Sequence, residues 1–269
     1  MRYAISSVAL FTALGAAAAP AKLPAAPDAL ADAMRGQGVV LLGEVHDNAA
    51  QHALRAAALR LLVERGARPA LAFEQFDREQ QAAIDRARAE RPGDLDYLIA
   101  AAKGAKGWQW EYYKPFLALA LAYDLPIVAA NLSRADAMKV ATAQAPALDV
   151  PPSIMRAQEE AIAKGHCDLL PVEALPGMAR AQIDRDRTLA SAIAPYTGRG
   201  VVLLTGNEHA RKDIGVPHWI AGTSKSIALV EDDADSDEPL DAFDAYVVTE
   251  RAARPDPCEE LRARIKPKG

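Results

Sequence analysis

Short, fully apolar runs that break into polar clusters organise this chain. They fall at residues 39–42, 70–73, 127–130, 201–205 and 226–230, with a sixth at 245–249. Because they are apolar at every position rather than at alternate ones, they read as strands of a parallel sheet buried on both faces. Helical patterns lie between them. Residues 49–65 place Leu54, Ala57, Ala58, Leu61 and Leu62 on one stripe, and Gly66 follows as a C-terminal stop. Strands alternating with helices predict an α/β fold with a mainly parallel sheet.

Two connections are longer than a simple crossover. The segment after residue 73 predicts helices over 78–89, 95–102 and 112–123, and the segment after 131 predicts helices over 134–143, 153–164 and 177–193. Long structureless loops are uncommon inside a compact domain. Helices are therefore the expectation, forming an inserted lid over roughly 77–123 and 134–195. The acidic stretch 232–239 reads as a solvated loop. It lacks the spaced glycine and terminal glutamate of an EF-hand calcium loop.

In open parallel sheets, ligands bind in the crevice beyond the carboxyl ends of the strands. The residues following each run therefore carry the chemistry. The first run ends in Gly43-Glu44-Val45-His46, the second in Glu74-Gln75, the third in Asn131, and the fourth in Gly206-Asn207-Glu208-His209 with Arg211 beyond. Each residue alone has a structural explanation: Asp47 or Asn48 can cap the helix that starts near Ala49, and Glu44 or Glu74 can sit at a helix N-terminus. Four strand ends turning polar together point instead to a shared site.

Glu44, His46, Glu74 and His209 could hold a divalent metal such as zinc or manganese that activates water. Without a metal, His46 and Glu74 could act as a base and its orienting partner. The other histidines, His52 in the first helix and His218 after Pro217, are expected at the surface. Trp108, Trp110, Tyr112 and Tyr113 form an aromatic cluster before the third strand. It could be lid core, or it could line a flat apolar pocket with a tyrosine phenolate for ferric iron.

Composition narrows the setting. The chain has 269 residues, is 51% hydrophobic and 25% charged, and carries a formal net charge of −5. That balance is globular and ordered. With no basic block, it argues against nucleic acid as a partner. Arg2 followed by the apolar, alanine-rich residues 3–19 resembles a secretory signal peptide, with cleavage after Ala18. The expectation is a single mature domain, 19–269, exported to a periplasm or secreted. No cysteine near the cleavage point offers a lipid anchor. In an oxidising compartment Cys167 and Cys258 become candidates for a disulfide, with a His166-Cys167 metal pair as the alternative.

The patterns LLGEVHDN, LAFEQF, WEYYKPFLALA, VAANLSR, AQIDRDRTLA and LLTGNEHARKDIGVP, in that order from Val39 to Pro217, resemble the ChaN-like haem-binding family. That family is grouped with the Tiki, TraB and erythromycin-esterase proteins. The resemblance implies a three-layer α/β/α core with a helical lid, and a role in haem or iron uptake at the bacterial envelope. It implies haem as the ligand, with His46, His209, Tyr112 or Tyr113 at the iron and Asn131 and Arg211 nearby. A flat haem face can be shared between subunits, so the implied partners are a second copy of the chain and outer-membrane or periplasmic uptake components. The wider group implies an alternative. Its Gly-x-x-His element, matched by Gly43-Glu44-Val45-His46, and its paired acids belong to a metal-dependent esterase or protease, with Glu44, His46, Glu74 and His209 catalytic.

Overall fold

The computed structural model of the chain describes residues 19–104, 107–142, 149–232 and 238–265. The expected signal peptide and most of the acidic stretch lie outside these residues. The chain starts with β1 (Ala21–Leu23) and α1 (Pro27–Met34), then runs β2 (Val39–Leu42), α2 (Ala49–Glu64) and β3 (Ala70–Asp77). The first long connection holds α3 (Gln81–Glu90), α4 (Leu95–Ala101) and α5 (Trp110–Ala122) before β4 (Ile127–Asn131). The second holds α6 (Arg134–Ala141), α7 (Pro152–Gly165) and α8 (Leu175–Ile193) before β5 (Val201–Leu204). A single-turn α9 (Asn207–Ala210), β6 (Lys225–Glu231), β7 (Ala245–Thr249) and α10 (Pro257–Ile265) complete it.

The strands form one seven-stranded sheet in the order β1-β7-β6-β2-β5-β3-β4, and every pairing is parallel. Successive strand residues face opposite sides, so the apolar runs feed two cores. Val40, Leu42, Phe73 and Leu204 pack toward Leu59 of α2 and Phe116 of α5. Val39, Leu41, Ala72 and Leu203 pack toward Leu189 and Ile193 of α8. Each fully buried Leu or Phe contributes roughly 2–3 kcal/mol. The result is the three-layer α/β/α arrangement, with α5 and α8, from the two inserted segments, packing over opposite faces of the sheet.

The six expected strands all form. β3 runs four residues further than its apolar stretch, with a register irregularity between Phe73 and Asp77, so Glu74 sits inside a strand rather than after it. β1 was not expected: it is three residues long, largely exposed, and pairs only with β7 at the sheet edge. Asn48 caps α2, its side chain accepting from the Gln51 amide. Gly66 supplies the positive φ of 100° after that helix.

The buried face of α2 differs from the expected stripe. It carries Gln51, His52 and Arg55 as well as Ala58, Leu59, Leu62 and Val63. His52 is therefore buried, not a surface residue, whereas His218 is exposed as expected. Among the described residues, no helix is long and apolar enough to cross a membrane.

Candidate functional site

The crevice forms where β2 and β5 lie side by side in register, Val39 opposite Val201 through Leu42 opposite Leu204. The chain order reverses here: β3 and β4 lie to one side, β6 and β7 to the other. Such a switch point is where parallel sheets bind ligands. Two imidazole–carboxylate pairs emerge from it, one below each strand end.

The first pair belongs to β2. Glu44 is buried, and its Oε1 accepts from the Tyr113 hydroxyl at 2.5 Å and from His46 Nδ1 at 2.8 Å. Its Oε2 faces the Arg55 guanidinium in a close ion pair and lies 3.4 Å from His52 Nδ1. Arg55 also donates to the Leu42 carbonyl at 2.8 Å. Burial pulls the Arg55 pKa down to about 10, which still leaves it charged at neutral pH. A carboxylate can only accept, so His46 Nδ1 donates its N–H to Glu44. The His46 side chain is 46% exposed, its ring lies against Gly206, and its edge contacts Trp108 at 4.9 Å.

The second pair hangs from β5. His209 in α9 is buried, with Nδ1 2.6 Å from Asp186 of α8 and Nε2 3.6 Å from Glu74. Burial works against a charged His209, but Glu74 and Asp186 carry its pKa above the ordinary value. Burial raises Asp186 to about 6, against the pull of His209. Glu74 accepts from the Thr205 hydroxyl at 2.7 Å and the Gly206 amide at 2.9 Å. Burial would raise this acid as well. His209, His46 and the two hydrogen bonds outweigh it and bring Glu74 down to about 2.

Glu44, His46, Glu74, Arg185, Gly206 and His209 line an open cleft of about 420 Å³. The other expected site residues do not face it. Tyr113 is fully buried behind Glu44, and burial raises its phenol pKa, so it is not available as a phenolate ligand. Tyr112 is half-buried and stacks on His52 at 4.6 Å. Asn131 lies under the cleft wall, donating to the Glu74 carbonyl at 2.7 Å and accepting from Arg185 at 2.9 Å. Arg211 is engaged by Glu208 at 3.0 Å and Asp213 at 2.7 Å and lines a different cavity.

The expectation of a four-residue metal set gains no support. Among the described residues, no group of three or more His, Cys, Asp and Glu side chains converges as a metal site. The carboxylates explain this: Glu44 turns its oxygens to Arg55, Tyr113 and His46, and Glu74 turns one to Thr205 and Gly206. The disulfide does form, joining Cys167 to Cys258 with Cα atoms 5.7 Å apart.

The model of the family described as "Haem-binding uptake, Tiki superfamily, ChaN" matches residues 30–220. The chain belongs to this ChaN family. Among solved structures, it is similar to one described as "Cofacial heme binding to ChaN of Campylobacter jejuni". That chain is 22% identical, with 81% of this chain and 89% of that one covered at a TM-score of 0.67. The type III effector HopBA1 is 14% identical over 86% of this chain and 97% of that one, at a TM-score of 0.48. A mutant of the erythromycin esterase EreC in its open conformation is 16% identical over 88% and 82%, at 0.46. At 22% identity, the likeness to the Campylobacter jejuni structure establishes the fold alone. No curated protein matches the sequence.

Arg185 in the cleft wall escaped the sequence reading, as did the buried partners Arg55 and Asp186. Arg55 and Asp186 both sit on helices, where charged residues ordinarily face water. A signal was present in each case. Arg55 follows Gln51 by four and precedes Leu59 by four, continuing the inward stripe of α2. Asp186 lies between Ile183 and Leu189 on the buried stripe of α8. A charge placed on an apolar stripe needs a buried partner.

Proposed function

We propose that this ChaN-family chain binds haem at the crevice between β2 and β5, with His46 as the iron ligand. The observation that carries this reading is the state of the His46 ring. A metal-binding imidazole ordinarily donates its second nitrogen to a carboxylate, which fixes the tautomer and strengthens the donor. Glu44 accepts from Nδ1 in this way, from a buried position fixed by Arg55 and Tyr113, while Nε2 lies beside Gly206. Trp108 packs T-shaped against the His46 ring, with centroids 4.9 Å apart, and so puts an aromatic neighbour beside the imidazole. His209 fits the iron less well, because Asp186 and Glu74 flank both of its nitrogens.

Bound haem would supply an iron, and His46 is the residue that would hold it. The residues of the chain orient that imidazole and hold its proton on Nδ1. A spectrophotometric haem titration tests the assignment. Wild-type protein should develop a shifted Soret band, His46→Ala should lose it, and Tyr113→Phe should keep it. A His46→Ala variant that binds like wild type overturns the reading. Tyr112→Phe and His209→Ala, run in parallel, report on the remaining candidates.

The uptake setting extends the same proposal. A cleaved leader of 18 residues and an oxidising compartment accord with the Cys167–Cys258 bond. Fractionation and N-terminal mass measurement test export: a mature chain starting at Ala19 in the periplasm is the expected result.

A second reading rests on the pairing of imidazoles across one cleft. His46 Nε2 could act as a general base toward water while a charged His209, held by Asp186 and Glu74, stabilises developing negative charge. This is ester or peptide hydrolysis by the chain's own side chains. Chelator-insensitive turnover of an activated ester, abolished in both His46→Ala and His209→Ala, is the expected result. No turnover across an ester and peptide panel removes this reading and leaves haem binding untouched.

A further inference from the structure

Arginines in and around the site differ in what holds them. Arg55 faces Glu44, Arg211 is engaged by Glu208 and Asp213, and Arg254 pairs with Asp47 and Glu231. Arg185, the residue before Asp186 on α8, lines the cleft and has no such partner. Two neutral amides hold it instead: Nε donates to Gln182 at 3.2 Å and Nη1 to Asn131 at 2.9 Å. Among the described residues it forms no ion pair, and its Nη2 makes no hydrogen bond. Arg185 is half-buried, and Nη2 is not among the sealed polar atoms of the interior.

The amides are placed to aim the guanidinium. Asn131 donates to the Glu74 carbonyl at 2.7 Å, which turns its Oδ1 toward Arg185. Gln182 lies one turn earlier on α8 and lines the cleft with it. An amide oxygen orients a guanidinium but leaves its charge in place. The acids of the cleft are engaged elsewhere: Glu44 with Arg55, Glu74 with Thr205 and Gly206, and Glu208 with Arg211. Glu238 has a partner of its own. Asp186 bonds to His209, and it and Asp77 feel the Arg185 charge only from beyond contact. A charge withdrawn from water calls for an opposite charge. The planar fork of an arginine matches a carboxylate.

We propose that Arg185 selects the ligand of this cleft by its acid group, taking a carboxylate on the free end of the guanidinium. The inference rests on the haem reading and deepens it. Haem carries propionate carboxylates along one edge of an otherwise apolar ring. With His46 for the iron and Arg185 for a propionate, the cleft accepts the free-acid porphyrin and discriminates against its esters.

Spectrophotometric titration of the full, disulfide-bonded chain with haemin and with haemin dimethyl ester tests it. Wild type should bind the acid roughly tenfold or more tighter than the ester, the scale of a hydrogen bond between charged groups. Arg185→Gln should bind the acid about as weakly as the ester, with its Soret band at the wild-type position because His46 is untouched. Arg187→Gln removes the same charge two residues along α8, from a side chain that lies over the Trp219 ring at 4.9 Å rather than in the cleft lining. It should keep the wild-type preference. Equal affinity of wild type for acid and ester overturns the proposal and leaves haem binding standing. So does a preference that survives in Arg185→Gln, or one that Arg187→Gln abolishes equally. No Soret shift with either porphyrin overturns the haem reading and this proposal with it. The wild-type comparison needs no substitution, so a poorly folded variant does not shield the proposal.

Discussion

Arg55 is the residue on which the first half of the site depends. It is fully buried, touches Glu44 and the Leu42 carbonyl, and lies 5.5 Å from the Phe116 ring centre. Removing one member of a buried ion pair strands the other charge at a cost of about 3–5 kcal/mol. Arg55→Met should therefore destabilise the protein by that amount in urea unfolding, and a loss under about 1 kcal/mol would show that Glu44 does not rely on it. His52 beside it titrates on folding. Burial lowers its pKa from 6.5 to about 4, so the folded state favours the neutral ring. Its contribution is intact above pH 6.5 and is lost as pH falls from 6.5 to about 4, a swing of about 3 kcal/mol. The stability gap between wild type and His52→Asn should shrink by about that much between pH 7.5 and pH 4. Parallel pH curves would remove the assignment. Glu74 adds a second acid-labile contribution, lost as pH falls below its ordinary value of 4.5 toward about 2. At this scale the sequence showed the acceptors and bases at strand ends but not their buried partners. Arg55 and Asp186 look solvent-facing until the helices are packed.

Among the elements, strands were the most legible because a run apolar at every position has few places to go except a doubly covered sheet. Where the pattern turned polar inside a strand, as at Glu74-Gln75 of β3, the end was read too early. The edges were hidden for another reason: β1 is short and exposed, and α10 is a polar helix tied down by a covalent bond. That bond works with the preceding tail. Arg254 pairs with Asp47 at 2.8 Å and with Glu231, and Asn48 donates to Glu231 at 2.7 Å and to the Glu250 carbonyl at 2.9 Å. The tail therefore spans from the His46 loop to the end of α7. Cys258→Ser should cost about 4–5 kcal/mol, the chain-entropy scale for opening a loop of sequence separation 91. It should also speed hydrogen exchange at the α2 N-terminus, where Gln51 bonds to Asn48 at 3.1 Å. Unchanged exchange there would mean that the salt bridges hold the tail without the bond.

At the level of the whole molecule, the two imidazole pairs meet because β2 and β5, distant in sequence, are neighbours in the sheet. The repeated aliphatic-run-to-glycine pattern pointed to a common edge, but not to the direct adjacency of the two strands, which depends on the crossover order. The glycines record that adjacency. A Cβ at Gly206 would come within 3.0 Å of the His46 ring, and one at Gly43 would collide with the Asn207 side chain. Gly206 has an ordinary φ of −68°, so alanine would strain no backbone there. Gly206→Ala should lower haem affinity by roughly tenfold, the effect of about 1.4 kcal/mol, while global stability changes little. Equal affinity would show that the ring has room to move. Each strand end thus leaves a space that the other strand's polar side chain fills. Anyone transplanting the Gly43–His46 turn into another parallel scaffold would have to carry Gly206 and Asn207 with it. Moved alone, the turn would deliver an imidazole to a site with no hollow cut to receive it.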